Sequence, residues 1–272
     1  MSKAGSDQQP DGAIRDALTR SAAAGGCGFF FDFDGVLSPI GPEPDAVQPV
    51  PGVLDQLGEL AGLVEKVGIV SARPVRFLQS RIGDARGISL YGLYGLEASR
   101  DGATYSDPAA EGWIATIHTV LEAARQELSP DVFIEDKRLS VAFHYRQHPE
   151  RRAEVEEWAG TKAREHGLAR QEGRMVIELK PPIPTDKGTV LRTEITSLRC
   201  AWYFGDDVAD AKGFEALRDK HEQDPEFLGV CVAVANSEVG RALADQADFS
   251  IASPAAMPAF LAAAIEQISA VR

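Results

Sequence analysis

The chain has 272 residues, 44% of them hydrophobic, with 28 Lys and Arg against 41 Asp and Glu for a net charge of −13. That apolar content supports a substantial core without disulfide staples. The charge argues against nucleic acid or an anionic membrane as the main partner, because both are repelled at long range.

Residues 1–12 read as a flexible, polar start with no apolar signal region, and no uninterrupted apolar stretch approaches membrane-spanning length. The expectation is a soluble, cytoplasmic protein. Cys27, Cys200 and Cys231 lie in or beside apolar runs with neither a disulfide framework nor zinc spacing, and read as reduced core residues. The first run, Cys27-Gly28-Phe29-Phe30-Phe31, ends in Asp32-Phe33-Asp34-Gly35. A strand covered by helices on both faces reads as continuously apolar, and in open α/β sheets ligands bind beyond the carboxyl ends of such strands. Side chains two apart in extended backbone point the same way, so both carboxylates can address one pocket where a cation offsets their repulsion.

A proline-rich connection from Pro39 to Pro51 leads to a helix marked by Val53, Leu54, Leu57, Leu60 and Ala61. A strand near Val67 to Val70, a helix from Pro74 to Ile82 and a strand near Ile88 to Tyr91 follow. From about Asp107 the pattern changes. Trp113, Ile114, Ile117, Leu121, Ala124 and Leu128 form one stripe of a long helix, followed by strands over Val132 to Glu135 and Leu139 to Arg146. A second helix, Pro149 to His166, precedes two more short strands ending at Lys180. After Pro181-Pro182-Ile183-Pro184, helix Lys187 to Thr196, strand Ala201 to Phe204, helix Ala209 to Leu217, strand Val230 to Val234 and strand Phe249 to Ile251 restore the alternation before a C-terminal helix. The expected fold class is α/β. A Rossmann-like core with a parallel sheet comprises 13–106 and 185–272, and an α+β unit of order αββαββ is inserted over 107–184.

The strand Ala201-Trp202-Tyr203-Phe204 ends in Gly205-Asp206-Asp207, with Asp210 close behind, a second acidic strand end in one chain. Ile69-Val70-Ser71-Ala72-Arg73 sets a hydroxyl at a strand terminus before a helix, where backbone amides favour an anion. Taken alone, Ser71 is as readily a cap for the helix beginning near Pro74. Lys187, opening its helix after Thr185-Asp186, is by itself uninformative.

Together and in this order, Asp32-x-Asp34-Gly35, Ser71, Lys187 and Gly205-Asp206-Asp207 resemble the four motifs of the haloacid dehalogenase-like phosphatases. The resemblance implies that Asp32 attacks phosphorus and that Asp34 is acid and then base. Ser71, Ala72 and Lys187 would bind the phosphoryl group. Mg²⁺ would be held by Asp32, the backbone carbonyl of Asp34 and Asp206, with Asp207 steadying its surroundings.

In the inserted segment, Val141, Phe143 and Tyr145 alternate with His144 and Arg146, while Arg174, Val176, Glu178 and Lys180 share one side of their strand. A polar sheet face of this kind suits a polyhydroxylated ligand. The segments Gly92-Leu93-Tyr94-Gly95-Leu96-Glu97, Ser140 to Arg146 and Gly173 to Pro181 resemble those of trehalose-6-phosphate phosphatases, and the likeness runs from about Phe29 to the C-terminus. It implies that Arg146, Arg174 and Glu178 grip the sugar, with Lys137, Glu97, Lys180 and Tyr94 as further candidates. The sequence departs from that family at Tyr94 (usually His), Lys180 (usually Arg), Ala72 (commonly Gly) and Ala209 (frequently Thr).

The expected activity is Mg²⁺-dependent hydrolysis of trehalose 6-phosphate through an aspartyl-phosphate, by a monomer with no obligate protein partner. The insertion is expected to close over the sugar, hinged near Ser106 to Pro108 and Pro181 to Pro184. Rival expectations are a phosphatase for another sugar phosphate or trehalose-like pseudodisaccharide phosphate, and a non-catalytic sugar-phosphate sensor.

Overall fold

The computed structural model describes residues 12–41, 46–83, 87–100, 102–173, 175–235 and 243–271. Two compact units emerge, one formed by 1–104 with 185–272 and the other by 105–184.

The first unit begins with α1 (Gly12–Ala24), which the sequence reading does not anticipate, and β1 (Cys27–Phe31). α2 (Val53–Ala61), β2 (Lys66–Val70), α3 (Val75–Ile82) and β3 (Ile88–Gly92) follow. The chain then turns back as β4 (Glu97–Arg100), which pairs antiparallel with β3, and β5 (Ala103–Ser106). This hairpin is also absent from the sequence reading, because its short, half-exposed strands give no apolar run.

The second unit holds α4 (Pro108–Glu111), α5 (Ile114–Glu127), β6 (Phe133–Asp136), β7 (Val141–His144), α6 (Arg152–His166), β8 (Ala169–Gly173) and β9 (Val176–Lys180). The chain re-enters the first unit with α7 (Lys187–Glu194), β10 (Cys200–Gly205), α8 (Ala211–Gln223), β11 (Leu228–Val234), β12 (Phe249–Ile251) and α9 (Met257–Val271).

The large sheet runs β12-β11-β10-β1-β2-β3-β4-β5, parallel from β12 to β3. From β1 the chain builds outward to β2 and β3. After the second unit it returns to β10 on the other side of β1 and builds outward again. The β1–β10 seam is therefore the topological switch point, where α/β sheets open a crevice at their carboxyl ends.

Each sheet face is covered by helices, so β1 and β10 are buried along their whole length. One face packs Phe29, Phe31, Trp202 and Phe204 against Leu18, Leu57, Leu78, Phe260 and Leu261. The other packs Phe30, Tyr203 and Cys231 against Leu191, Phe214 and Leu217. Along the first face the seam is a ladder of register partners: Phe29 stacks on Trp202 with centroids 5.6 Å apart, and Phe31 on Phe204 at 4.6 Å. Stacked aromatic pairs add to area burial, and these fix β1 against β10 just below the loops that follow both strands.

Pro254–Val271 is long and apolar enough, by length and composition alone, to cross a membrane. In the fold, Met257, Phe260, Leu261, Ala264, Ile265 and Ile268 of α9 are buried in the core of the first unit. The chain reads as interrupted there because Glu266 and Gln267 break the apolar run.

In the second unit, the sheet β6-β7-β9-β8 is antiparallel throughout. Val141, Phe143, Tyr145, Ile177 and Leu179 pack with Ile117, Leu121, Val155 and Ala159 of α5 and α6. The opposite face carries Glu135, Ala142, His144, Glu178 and Lys180, as strand alternation requires.

Candidate active site

β1 ends at Phe31, and the next residue, Asp32, is still tied to the seam by its amide, which donates to the Phe204 carbonyl at 2.9 Å. Asp32 Oδ1 accepts from the Phe33 amide at 2.6 Å and Oδ2 faces Lys187 Nζ at 2.7 Å. Lys187, the first residue of α7, is buried, and its ammonium also reaches Asp210 Oδ1 at 2.7 Å. The strands on either side of the switch point therefore deliver Asp32 and Asp210 to one lysine.

Carboxylate oxygens of Asp32, Asp206 and Asp210 lie within 4.8 Å of one another, all three residues buried. They are not chemically equivalent. Asp210 Oδ1 accepts from Lys187 and the Tyr203 hydroxyl, and Oδ2 accepts from the amides of Asp206, at 3.0 Å, and Asp207, at 3.1 Å. Four donors fill the usual lone-pair directions of a carboxylate, so Asp210 is committed to holding Lys187 and the 205–207 turn. Asp207 lies beside the cluster and caps the short 3₁₀ turn Val208–Asp210 by accepting from the Ala209 amide at 2.8 Å. Asp32, with one donor to each oxygen, and Asp206 are the carboxylates placed to share a cation.

Charge points the same way. Burial pushes the Asp32 carboxyl well above its ordinary value; Lys187 pulls it down, and Asp210, Asp206 and Asp207 push it up again. Burial alone would lower Lys187, but Asp210 and Asp32 outweigh it and hold the ammonium above its usual range. Lys187 thus stays charged, and at Asp32 its pull is outweighed by burial together with Asp210, Asp206 and Asp207. A divalent cation with a preference for oxygen ligands fits such a donor set.

The space for Asp206 is created by glycine. Gly35 has φ +80, and a Cβ placed there would lie 2.1 Å from Asp206 Oδ2. Gly205 is equally constrained, since its Cβ would sit 2.3 Å from Cβ of Asp210. Gly35→Ala is expected to destabilise the fold by about 1–3 kcal/mol from the backbone conformation alone, seen as a lower thermal midpoint by circular dichroism. An unchanged midpoint would show that the 32–35 turn has another accessible arrangement.

Asp34 stands apart from the cluster in its partner. Arg73 forks onto it, with Nε to Oδ2 at 2.8 Å and Nη2 to Oδ1 at 2.9 Å. Ser71 is buried at the end of β2, where its hydroxyl accepts from the Arg73 amide at 3.1 Å instead of capping α3. The α3 N-terminus is served by Glu97, whose Oε2 accepts from the Val75 amide at 2.9 Å. Ala72 is half-buried between them. Leu93 and Tyr94 both take left-handed backbone, φ 50 and 59, and their amides donate to the carbonyls of Arg73 and Ser71 at 3.0 and 3.1 Å. Two such non-glycine residues in succession are strained, and the bonds pin the 93–94 turn to the loop that carries Ser71.

In the second unit, Lys137 Nζ pairs with Glu178 Oε2 at 3.0 Å, and the Ser140 hydroxyl donates to Oε1. Lys137 and Glu178 are both buried. Arg146, just beyond β7, and Lys180, at the end of β9, are half-buried. Arg174 lies outside the described residues.

The sequence matches the trehalose-phosphatase family over residues 30–248. The chain belongs to that family. It is 34% identical over 275 residues to a trehalose-phosphate phosphatase of Mycobacterium leprae, covering 96% of this chain and 62% of the relative, so it spans less than two thirds of that protein's length. A crystal structure of a trehalose-6-phosphate phosphatase related protein shares 25% identity at a TM-score of 0.69 over 86% of this chain and 95% of that one. The C-terminal domain of C. albicans trehalose-6-phosphate phosphatase, 20% identical, shares the fold with a TM-score of 0.70 over 98% and 99%. The fold is thus the α/β fold with a mostly parallel central sheet anticipated above.

Three residues with structural duties at the site have no role in the sequence reading. Arg73 follows Ser71 by two positions, Asp210 trails the second acidic strand end, and Tyr203 is hidden in an apolar run. For Asp210 the signal was present in the string of acids. For Arg73 and Tyr203 none is visible, because their partners come from other strands or turns.

Proposed function

We propose that this chain is a Mg²⁺-dependent phosphatase that hydrolyses trehalose 6-phosphate to trehalose and phosphate, acting in the cytoplasm. The observation that carries this reading is the convergence of Asp32, Asp206 and Lys187 at the switch point of the sheet. The carboxylates of Asp32 and Asp206 and the backbone carbonyl of Asp34 would hold Mg²⁺. When bound, the ion neutralises phosphate charge that would otherwise repel Asp32.

An Asp32 oxygen attacks phosphorus, the bond from phosphorus to the sugar oxygen breaks, and Asp34 delivers a proton to that oxygen. Water then attacks the phosphoryl group on Asp32 after giving its proton to Asp34, which regenerates Asp32 and releases phosphate. Lys187 faces the non-bridging oxygens, with its charge secured by Asp210, and the Ser71 hydroxyl and the 71–72 backbone receive another. Both oxygens of Asp34 accept from Arg73, so proton delivery requires at least one of those bonds to open.

For the sugar, Glu178, Arg146, Arg174 and Lys180 supply charged donors and acceptors, with Lys137 and Ser140 holding Glu178 in place. Glu97 contributes less, because one of its oxygens is taken by the Val75 amide. A site built to hydrogen-bond hydroxyls discriminates strongly against analogues that lack them. In a panel of phosphorylated mono- and disaccharides, trehalose 6-phosphate is expected to give the highest kcat/KM with Mg²⁺ and no turnover with chelator. Faster release from another sugar phosphate would transfer the assignment to that substrate. Tight binding of trehalose 6-phosphate without cleavage would make the chain a sensor.

A further inference from the structure

At the opposite end of the β1–β10 seam from Asp32, Cys27 and Cys200 are direct register partners in adjacent parallel strands. Both side chains lie on the sheet face that carries Phe29, Phe31, Trp202 and Phe204, so this pair is the first rung of the aromatic ladder. Neighbouring strands are separated by about 4.8 Å, inside the Cα separation of about 4.4–6.8 Å that a disulfide requires. Both thiols are free, and their sulfurs lie 2.7 Å apart. No backbone movement is needed to bring the sulfurs together.

Access is from the Cys27 side, Cys200 being fully buried. Cys27 forms part of the wall of a cavity of about 150 Å³, together with Ser21, Gly25, Gly26, Leu63 and Glu65. Cys231 does not share this arrangement, being buried in the core on the opposite face of the sheet. The catalytic reading leaves all three cysteines unused.

We propose that Cys27 and Cys200 are a paired oxidation site, closed to a disulfide by hydrogen peroxide that enters this cavity. The Cys27 sulfur attacks one oxygen of the peroxide, the O–O bond breaks, and Cys27 becomes a sulfenic acid with release of water. Cys200 then attacks the sulfenic sulfur, the S–O bond breaks, and a second water leaves carrying the thiol proton. Two thiols lose two electrons and two protons to one peroxide. Burial, with Cys200 beside it, holds the Cys27 thiol well above its ordinary value, whereas at Cys200, against the opposing effect of burial, the contact with Cys27 lowers the thiol. Cys200 is therefore the more readily ionised of the two and is suited to the second attack. The new bond links positions 173 apart in sequence and so closes a loop that contains the whole second unit. Such a bond constrains the unfolded chain strongly and ties together the two strands that carry Asp32 and Asp206.

The test treats the folded, reduced protein with hydrogen peroxide, then unfolds it in N-ethylmaleimide and maps peptides by mass spectrometry. The expected result is a fall from three maleimide adducts to one, on Cys231, with the peptides of Cys27 and Cys200 joined and short of two hydrogens. The oxidised protein is also expected to melt at a higher temperature, reversed by dithiothreitol. In Cys200→Ser the crosslink and the reversible rise in midpoint should both be absent. Three adducts after oxidation, a disulfide involving Cys231, or stable sulfinic acid on Cys27 with no crosslink would each overturn the proposal.

Discussion

Asp32→Asn is expected to lower kcat for trehalose 6-phosphate by roughly 10⁴-fold or more, the scale of losing a nucleophile, with a smaller effect on KM. The amide keeps the size of the side chain and its acceptor oxygen, so the Phe33 amide retains a partner. What disappears is the anionic oxygen that would attack phosphorus and the negative charge opposite Lys187. Stability should change far less than rate, because Asp210 still pairs with Lys187 at 2.7 Å. Steady-state kinetics with Mg²⁺, alongside thermal denaturation, separates these effects. Activity within tenfold of the parent would remove Asp32 from the role of nucleophile.

Lys187→Met is expected to affect both activity and folding. The side chain is 3% exposed, and the carboxylates it faces on Asp32 and Asp210 are 8% and 0% exposed. Removing one partner of so buried a group leaves uncompensated charge, which costs about 3–5 kcal/mol. The loss should appear in urea denaturation as a lower midpoint. Lys187→Arg is not expected to restore the parent, since a planar guanidinium does not substitute for a compact ammonium between two carboxylates. A Met variant as stable as the parent would mean that these charges do not depend on one another.

The parts of the fold legible in the sequence share a cause. β1 and β10 are buried on both faces, so they are written as unbroken apolar runs, and an acid directly after each stands out. The helices of the second unit are legible because Ile117, Leu121 and Ala124 repeat at helical spacing. α1 has its own stripe in Ile14, Ala17, Leu18 and Ser21, but its small and polar members hide it. β4 and β5 pass unnoticed because an edge hairpin needs little apolar content.

At the site, the residue types were legible and their partnerships were not. Whether Asp206, Asp207 or Asp210 faces the shared pocket depends on a turn of a few residues. There Asp207 caps the turn and Asp210 is saturated by four donors, two of them from Lys187 and Tyr203. The Arg73 fork on Asp34 joins residues 39 apart, and local spacing carries no trace of it. Ser71 shows the same limit: its hydroxyl accepts from the Arg73 amide in its own loop, while Glu97, a residue expected to touch sugar, serves the helix.

A crystal structure of the protein grown with Mg²⁺ and trifluoroberyllate, a mimic of a phosphoryl group on a carboxylate, tests the central claim most directly. The account predicts beryllium joined to an Asp32 oxygen, with one metal ion contacting both Asp32 and Asp206 and Lys187 against the fluorines. A metal and fluoride complex bound elsewhere, with Asp32 and Asp206 sharing no ion, would contradict it.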